Sequence, residues 1–311
     1  MQDVADEQNS LSFISKFEKG ESNISFHRLE HLLERLNISI EEFLYLRARE
    51  ADYTTYHYLS ERAFFVSDKF TFYLNQIFKC NDETNHSRNF SEAIPQMTKL
   101  QKEIKTGTQS EEFLKLLCRL LCLNYQLNHE RDQGGEANID KFFAELQQLS
   151  QPVVKHLYNV ENWGVYEVLL FRFFQFSFPV ETVHQLLRTA VSRTEKEAGV
   201  QLMQLMKFEL LFGTCTTFIN FRKLGWAKEV LQETEKLLLD QGDLLNSTKL
   251  LFYQGWLKII ADSIDAGRQN CEQAISIFRI LKKPTWQKMY ETLFQAILTN
   301  RENINKCIIF S

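Results

Sequence analysis

The chain has 311 residues, enough for one large domain or two smaller ones. Gly numbers 11 and Pro 4, where average usage gives roughly 22 and 15; this argues against an all-β fold, a glycine-rich nucleotide cradle or long flexible linkers, and favours long helices with short turns. A net charge of −4 gives no global sign of a nucleic-acid binder, without excluding a local one.

The first 48 residues read as short helices. Val4 to Glu7 has the pattern of a helix end, with Gln8-Asn9 as a turn. Ser10 is placed to cap a helix from Leu11 to Lys19, which Gly20 stops. Ser25 caps the next, through Leu36, with Phe26, Leu29, Leu32, Leu33 and Leu36 at helical spacing. Ser39 caps a last one, with Glu41 and Glu42 in its first turn. Residues 49–56 are polar and aperiodic, and the domain boundary is placed there.

From 57 to 311 the chain reads as helix after helix: about 57–79, 90–105, 110–128, 138–149, 152–160, 162–177, 180–196, 200–222, 225–240, 246–266, 270–282 and 285–300. The separators, among them Thr106-Gly107-Thr108, Phe178-Pro179 and Lys283-Pro284, fit turns. Antiparallel pairs of roughly 35–45 residues suggest an α-solenoid of tetratricopeptide-like helix pairs. The expected fold is therefore all-α, a small head followed by a solenoid. The tail Cys307-Ile308-Ile309-Phe310-Ser311 is apolar and unassigned.

The 26 Phe call for burial in a core, an interface or an apolar groove. The six cysteines are scattered without a CxxC, as expected of reduced core residues in a cytoplasmic protein. No metal site is expected: Cys118 and Cys122 share a helix face without a His at ligand spacing, and Glu30 between His27 and His31 makes no metal motif. The chain lacks a phosphate-cradling glycine loop and a GxSxG elbow, so it is not read as an enzyme, and no cofactor is expected. No apolar run approaches the roughly 18 residues that span a bilayer, so no membrane partner is expected.

The most specific stretch runs Val4-Ala5-Asp6-Glu7, then Ser10-x-Ser12-x-Ile14-Ser15-Lys16-Phe17-Glu18-Lys19-Gly20, then Leu29-x-x-Leu32-Leu33 and Leu36-Asn37-Ile38. It resembles the lambda-repressor-like helix-turn-helix domain. Such a domain places the N-terminus of its second helix in the DNA major groove. That position makes Ser10, Leu11, Ser12, Phe13, Lys16 and Lys19 the candidate DNA-binding residues: small and polar groups permit close approach, and lysines and backbone N–H groups take phosphates. The pattern opens after the point where such domains have a first helix, so that helix is expected to be missing. Its absence would leave Val4, Ile14 and the Phe26–Leu36 face without a packing partner and would weaken DNA binding. Residues 1–50 also hold ten acids and six bases.

A head of this kind before a helical repeat domain resembles the Rgg/MutR family of Gram-positive regulators, related to the peptide-sensing quorum regulators. Beyond the head, the resemblance rests on Asn162-Trp163-Gly164-Val165-Tyr166-Glu167-Val168-Leu169-Leu170-Phe171, Tyr253-Gln254-Gly255-Trp256-Leu257-Lys258 and Ala274-Ile275-x-Ile277-Phe278-x-x-Leu281. It implies a cytoplasmic homodimer that binds promoter DNA and holds a short linear peptide in the concave face of the repeats. The candidate peptide-binding residues are Tyr166, Phe173, Phe176, Gly213, Thr217, Leu245 and Gln254. Phe173, Phe176, Gly213 and Leu245 align with groove positions that are polar in better-known members, which points to a more apolar ligand or to no ligand at all. Phe173 and Phe176 have a second reading, as packing between repeats. The functional expectation is a sequence-specific transcriptional regulator sensing a short hydrophobic peptide. The alternative is a repeat-domain interaction protein without effective DNA binding.

Overall fold

A computed structural model describes residues 4–40, 42–44, 68–105, 107–135, 138–194, 201–239 and 242–302. The expected linker 49–56 and the tail 307–311 lie outside the described residues. The chain divides into two compact units, Met1–Glu83 and Thr84–Ser311. Every named element among the described residues is helical.

In the first unit, α1 spans Leu11–Glu18 and α2 spans Phe26–Leu36. Each starts on a serine: Ser10 Oγ accepts from Phe13 N at 3.3 Å, and Ser25 Oγ from Arg28 N at 3.4 Å. Each ends in a left-handed residue, Gly20 at φ 72° and Asn37 at φ 53°. Glu42 N likewise donates to Ser39 Oγ at 3.1 Å.

Residues 5–9 do not form the expected helix end. Asp6 Oδ1 accepts from both Gln8 N and Asn9 N at 2.9 Å, and this turn competes with helix for the same donors. The Asn9 bond is the largest cause holding the Asp6 carboxyl below its usual value, followed by His31, whose Nε2 lies 2.5 Å from Oδ2. Buried Asn9 also donates to Arg28 O at 3.1 Å, so the turn is pinned to α2. Ile14, expected to lack a partner, is 2 % exposed; it is packed together with Leu32 and Leu33 in the small core. Leu11, Phe26 and Leu36 stay exposed.

The following helices are α3 (Asp68–Ser87), α4 (Phe90–Glu103), α5 (Gln109–Asp132), α6 (Ile139–Asn159), α7 (Val165–Phe174), α8 (Val180–Thr194), α9 (Gln201–Asn220), α10 (Leu224–Leu238), α11 (Leu244–Ile260), α12 (Ile264–Ile280) and α13 (Pro284–Asn300). In the second unit neighbours pair along the chain, α4 with α5, α9 with α10, and α11 with α12. Every second helix also touches: α7 meets α9, α9 meets α11, and α11 meets α13. These contacts make one row of the solenoid, and α9 stands in its middle. Met206, Phe208, Leu210, Leu211, Phe212, Cys215, Phe218 and Ile219 of α9 are all buried, the all-round burial of a central helix.

Several expected boundaries move: the segment expected as 57–79 runs on to Ser87, and the one expected as 270–282 begins at Ile264. Residues 138–149 and 152–160 form one helix, α6, with Pro152 inside it. An interior proline costs about 3 kcal/mol. Leu146, Val153, Val154 and Leu157, buried on both sides of it, offset that cost. The segment expected as 246–266 ends at Ile260, because Asp262 turns left-handed at φ 64°. The segment expected as 162–177 begins at Val165, and Gln175–Ser177 tighten into a 3-10 turn. Arg193 donates to Leu157 O at 3.1 Å and Tyr158 O at 3.3 Å, closing the C-terminus of α6.

The rarity of Gly has a structural counterpart. The turns after α9, α11 and α12 put Arg222, Asp262 and Lys282 in the left-handed position where glycine is usual. Lys283 N reaches back to Phe278 O at 2.9 Å, and Lys223 N to Phe218 O at 2.8 Å. A side chain in this region costs roughly 1–2 kcal/mol. Glycine loses more chain entropy on folding and returns part of that. Lys282→Gly is therefore expected to stabilise the protein by about 0.5 kcal/mol in urea unfolding. A lower midpoint would show that the Lys282 side chain supports the turn.

Candidate functional site

In the head, Ser10, Leu11 and Ser12 form the exposed start of α1. Ser10 satisfies Phe13 N with its side chain and Ile14 N with its carbonyl at 3.0 Å. The two N–H groups at the very start of α1, of Leu11 and Ser12, come before these capped donors. An anion is favoured at such an end by the helix dipole. Lys16 is exposed one helical turn beyond Ser12, and Lys19 is exposed at the C-cap. Phe13 is half-buried, with the Arg28 guanidinium 4.8 Å from its ring, so it braces α1 on α2. Sequence and structure thus agree on one exposed surface at α1 that carries two small polar side chains and two lysines.

The candidate ligand residues fall on the α7–α9–α11 row. Phe173 lies in the last turn of α7 and is half-buried, with the Arg172 guanidinium 5.7 Å from its ring. Phe176, also half-buried, sits in the 3-10 turn and so leaves the helical register of Phe173. Gly213 lies on α9 directly against Gln175: a Cβ there would meet Gln175 Nε2 at 2.8 Å. Gln175 Oε1 in turn accepts from Thr214 Oγ1 at 3.2 Å. Thr217 Oγ1 donates to Gly213 O at 3.2 Å, inside α9. Gln254 is half-buried on α11, beside Tyr253, whose hydroxyl is 3.1 Å from Thr216 Oγ1. Burial raises the Tyr253 hydroxyl far above its ordinary pKa, which keeps it neutral. Gln175, between Phe173 and Phe176 in the chain, is thus the residue that meets α9 at Gly213 and Thr214, and Gln254 lies on α11.

Two candidates stand apart. Tyr166 is at the opposite end of α7, with its ring centroid 6.0 Å from that of His156 on α6. Seven residues of helix put it about 10 Å along the axis from Phe173. Burial, then the Glu167 charge, raises its pKa. Leu245 is 40 % exposed in the first turn of α11. Nine residues, or about 13 Å of helix, separate it from Gln254.

The most strongly polar part of the row was missed by sequence reasoning. Arg172 on α7 and Lys249 on α11 both reach Glu209 on α9, at 3.2 and 2.7 Å. The signal was present: Arg172 is a lone charge in Leu-Phe-Arg-Phe-Phe, and Glu209 and Lys249 each open onto an apolar stretch, Glu-Leu-Leu-Phe and Lys-Leu-Leu-Phe. Their burial marks them as paired.

The motif residues quoted above serve packing. Trp163 is fully buried and donates from Nε1 to Leu157 O at 3.0 Å. Gly164 N donates to Glu167 Oε2 at 3.0 Å, which starts α7. Among the described residues no group of three His, Cys, Asp or Glu side chains could hold a metal ion, and no helix is long and apolar enough to cross a membrane.

No curated protein matches the chain. Solved structures do. The Streptococcus dysgalactiae SHP pheromone receptor Rgg2 is 19% identical, with 95% of this chain and 94% of that chain covered at a TM-score of 0.62. A cysteine-to-serine form of the same receptor gives 20% identity, 94% and 92% coverage, and a TM-score of 0.63. A candidate transcriptional regulator from Listeria monocytogenes EGD-e is 17% identical, with 96% and 92% covered and a TM-score of 0.69. At these identities the likeness establishes the fold. The family itself is shown by a separate match: residues 98–292 fit the C-terminal domain of the HTH-type transcriptional regulator Rgg. That span is well over half of the chain, and the protein belongs to the Rgg family.

Proposed function

We propose that this protein is a transcriptional regulator that reads promoter DNA through α1 and senses a short apolar peptide on the α7–α9–α11 row. The observation that carries the reading is the pairing of two features. The exposed start of α1 offers Ser10, Ser12, Lys16 and Lys19 on a helix-turn-helix head. The family-matched repeat domain carries half-buried Phe173 and Phe176 on either side of Gln175, which lies against Gly213. Family membership supports the first feature. The description of Rgg2 as a pheromone receptor supports the second. In this reading residues 1–48 are the DNA-binding head, 49–56 the linker, and 57–311 the sensing and dimerisation domain. The working form is a cytoplasmic homodimer. The peptide shifts the equilibrium between two arrangements of the heads by binding one better than the other.

A second reading, a peptide- or protein-binding repeat protein without effective DNA binding, is favoured by the ten acids against six bases of residues 1–50. Fluorescence anisotropy with the DNA upstream of the protein's own gene separates the two. The regulator should bind this DNA at least tenfold tighter than a shuffled duplex at equal salt. Lys16→Ala combined with Lys19→Ala should flatten the salt dependence by about two ions, as expected for two lost phosphate contacts. Equal affinity for both duplexes would overturn the regulator reading.

A further inference from the structure

Three charges interrupt the apolar row of α7, α9 and α11. Lys249 Nζ lies 2.7 Å from Glu209 Oε1, and Arg172 Nη2 lies 3.2 Å from Glu209 Oε2. Each carboxylate oxygen therefore meets one cation. The side chain of Lys249 is 7 % exposed, that of Arg172 17 %, and that of Glu209 33 %. The two cations are the deep members, and the carboxylate is the one nearest water. The Lys249 ammonium also lies 5.8 Å from the Phe212 ring and 5.1 Å from the Trp286 ring, on α9 and α13.

Withdrawing two cations from water around one carboxylate is a poor way to gain stability, because desolvation offsets most of the attraction. The three side chains together carry two positive charges and one negative. The Lys249 ammonium has three N–H donors, of which Glu209 Oε1 at 2.7 Å takes one. The arrangement suits an incoming anion. Its surroundings suit an apolar chain: Phe173 adjoins Arg172, and Gly213 follows Glu209 by one helical turn on the same face, against Gln175.

We propose that Arg172 and Lys249 form a carboxylate-binding subsite, and that Glu209 is its built-in competitor. In the free protein Glu209 occupies the two cations. When a ligand carboxylate arrives, Glu209 turns outward to solvent and the ligand takes its place. The ligand group is either the C-terminal carboxylate of a peptide or an Asp or Glu side chain within it. The subsite rests on the peptide-sensing reading above, and it adds that the sensed peptide is apolar with one placed acid.

The test uses the full chain and three pools of hexapeptides randomised over Leu, Ile, Val, Phe and Gly, each with an uncharged fluorophore at the N-terminus. One pool ends in a free carboxylate, one in an amide, and one in an amide with a single Asp inside. Fluorescence polarisation should show the free-acid or the Asp pool binding at least tenfold tighter than the neutral pool, and which of them does so identifies the source of the carboxylate. Lys249→Met and Arg172→Met should each cut that preference below threefold. Glu209→Gln should raise it about tenfold, which a merely structural ion pair would not do. This variant keeps both cations and the shape of the site, so it decides the matter even if the methionine variants fail to fold. Equal binding of all three pools, or a Glu209→Gln variant with an unchanged or lower preference, overturns the subsite and leaves the peptide reading standing. Absence of binding by every pool overturns both.

Discussion

Gly255→Ala is expected to destabilise the repeat unit by about 3 kcal/mol, at the upper end of what overpacking usually costs. The helices α11 and α12 cross where Gly255 and Gly267 face each other. A Cβ on Gly255 would lie 2.7 Å from Gly267 O and 2.7 Å from Cys271 Sγ. A Cβ on Gly267 would lie 2.6 Å from Gly255 O and 2.8 Å from Ile259 N. Backbone atoms cannot rotate away, so the two helices must separate, and separation reopens the core around Trp256 and Phe278. The melting midpoint of a unit this size should fall by about 6–12 °C. Gly225→Ala on α10 is the matched control. It is exposed, nothing lies within 4 Å of its Cβ position, and helix propensity favours alanine by roughly 1 kcal/mol. The same substitution should therefore lower the midpoint at 255 and raise or hold it at 225. A rise at both positions would show that the α11–α12 crossing is loose. The buried Cys271 thiol beside this crossing, its pKa pushed up to about 12 first by burial and then by Glu272, reports the same event. Its reaction with a thiol reagent should be slow in the native protein and faster in Gly255→Ala.

Trp163→Ala carries the other large effect. The indole is fully buried against Phe171, with ring centroids 5.9 Å apart, and its N–H closes the end of α6 at Leu157 O. Truncation removes a large ring, leaves a cavity and takes away one of the two donors to Leu157 O, the other being Arg193 Nη1. The expected loss is about 3–5 kcal/mol. Trp163→Phe keeps most of the volume and loses the hydrogen bond, so it should cost about 1–3 kcal/mol. Urea unfolding of the two variants separates packing from the cap. Equal losses would mean that the hydrogen bond dominates, and a loss below about 1 kcal/mol for alanine would overturn the structural role.

Both predictions concern residues that were legible in the sequence for another reason. Trp163-Gly164 and Gly255-Trp256 stood out as family-like motifs, and their work proves to be packing. Trp163 ends one helix, and Gly255 lets two others touch. The candidate ligand residues were chosen by helical spacing, and spacing assigns a residue to a face without saying which neighbour covers it. Gly213 therefore faces Gln175, which the spacing did not single out, while Tyr166 and Leu245 lie about 10 and 13 Å of helix from their intended companions. The Arg172–Glu209–Lys249 cluster draws on positions 37 and 40 residues apart. No local pattern links them, although each was visible as a charge where an apolar residue was due.

By itself the sequence determined the helical class, the serine caps and left-handed stops of the head, the capping box of Thr108 and Glu111, and most helix boundaries. These features depend on residues within one or two turns of each other. Thr108 N donates to Glu111 Oε2 at 3.0 Å, a bond that any chain with this spacing can form. Tertiary structure alone decided that α6 runs through Pro152, that Gln175–Ser177 tighten, and that Asp262 rather than a glycine turns the chain. In each case burial gained from distant helices outweighs a local preference worth a few kcal/mol at most. The scarcity of Gly and Pro predicted long helices, and the packing explains how so few glycines suffice. Arg222, Asp262 and Lys282 take the left-handed turns, and the glycines at 255 and 267 are kept where two backbones come within a methyl's width of each other.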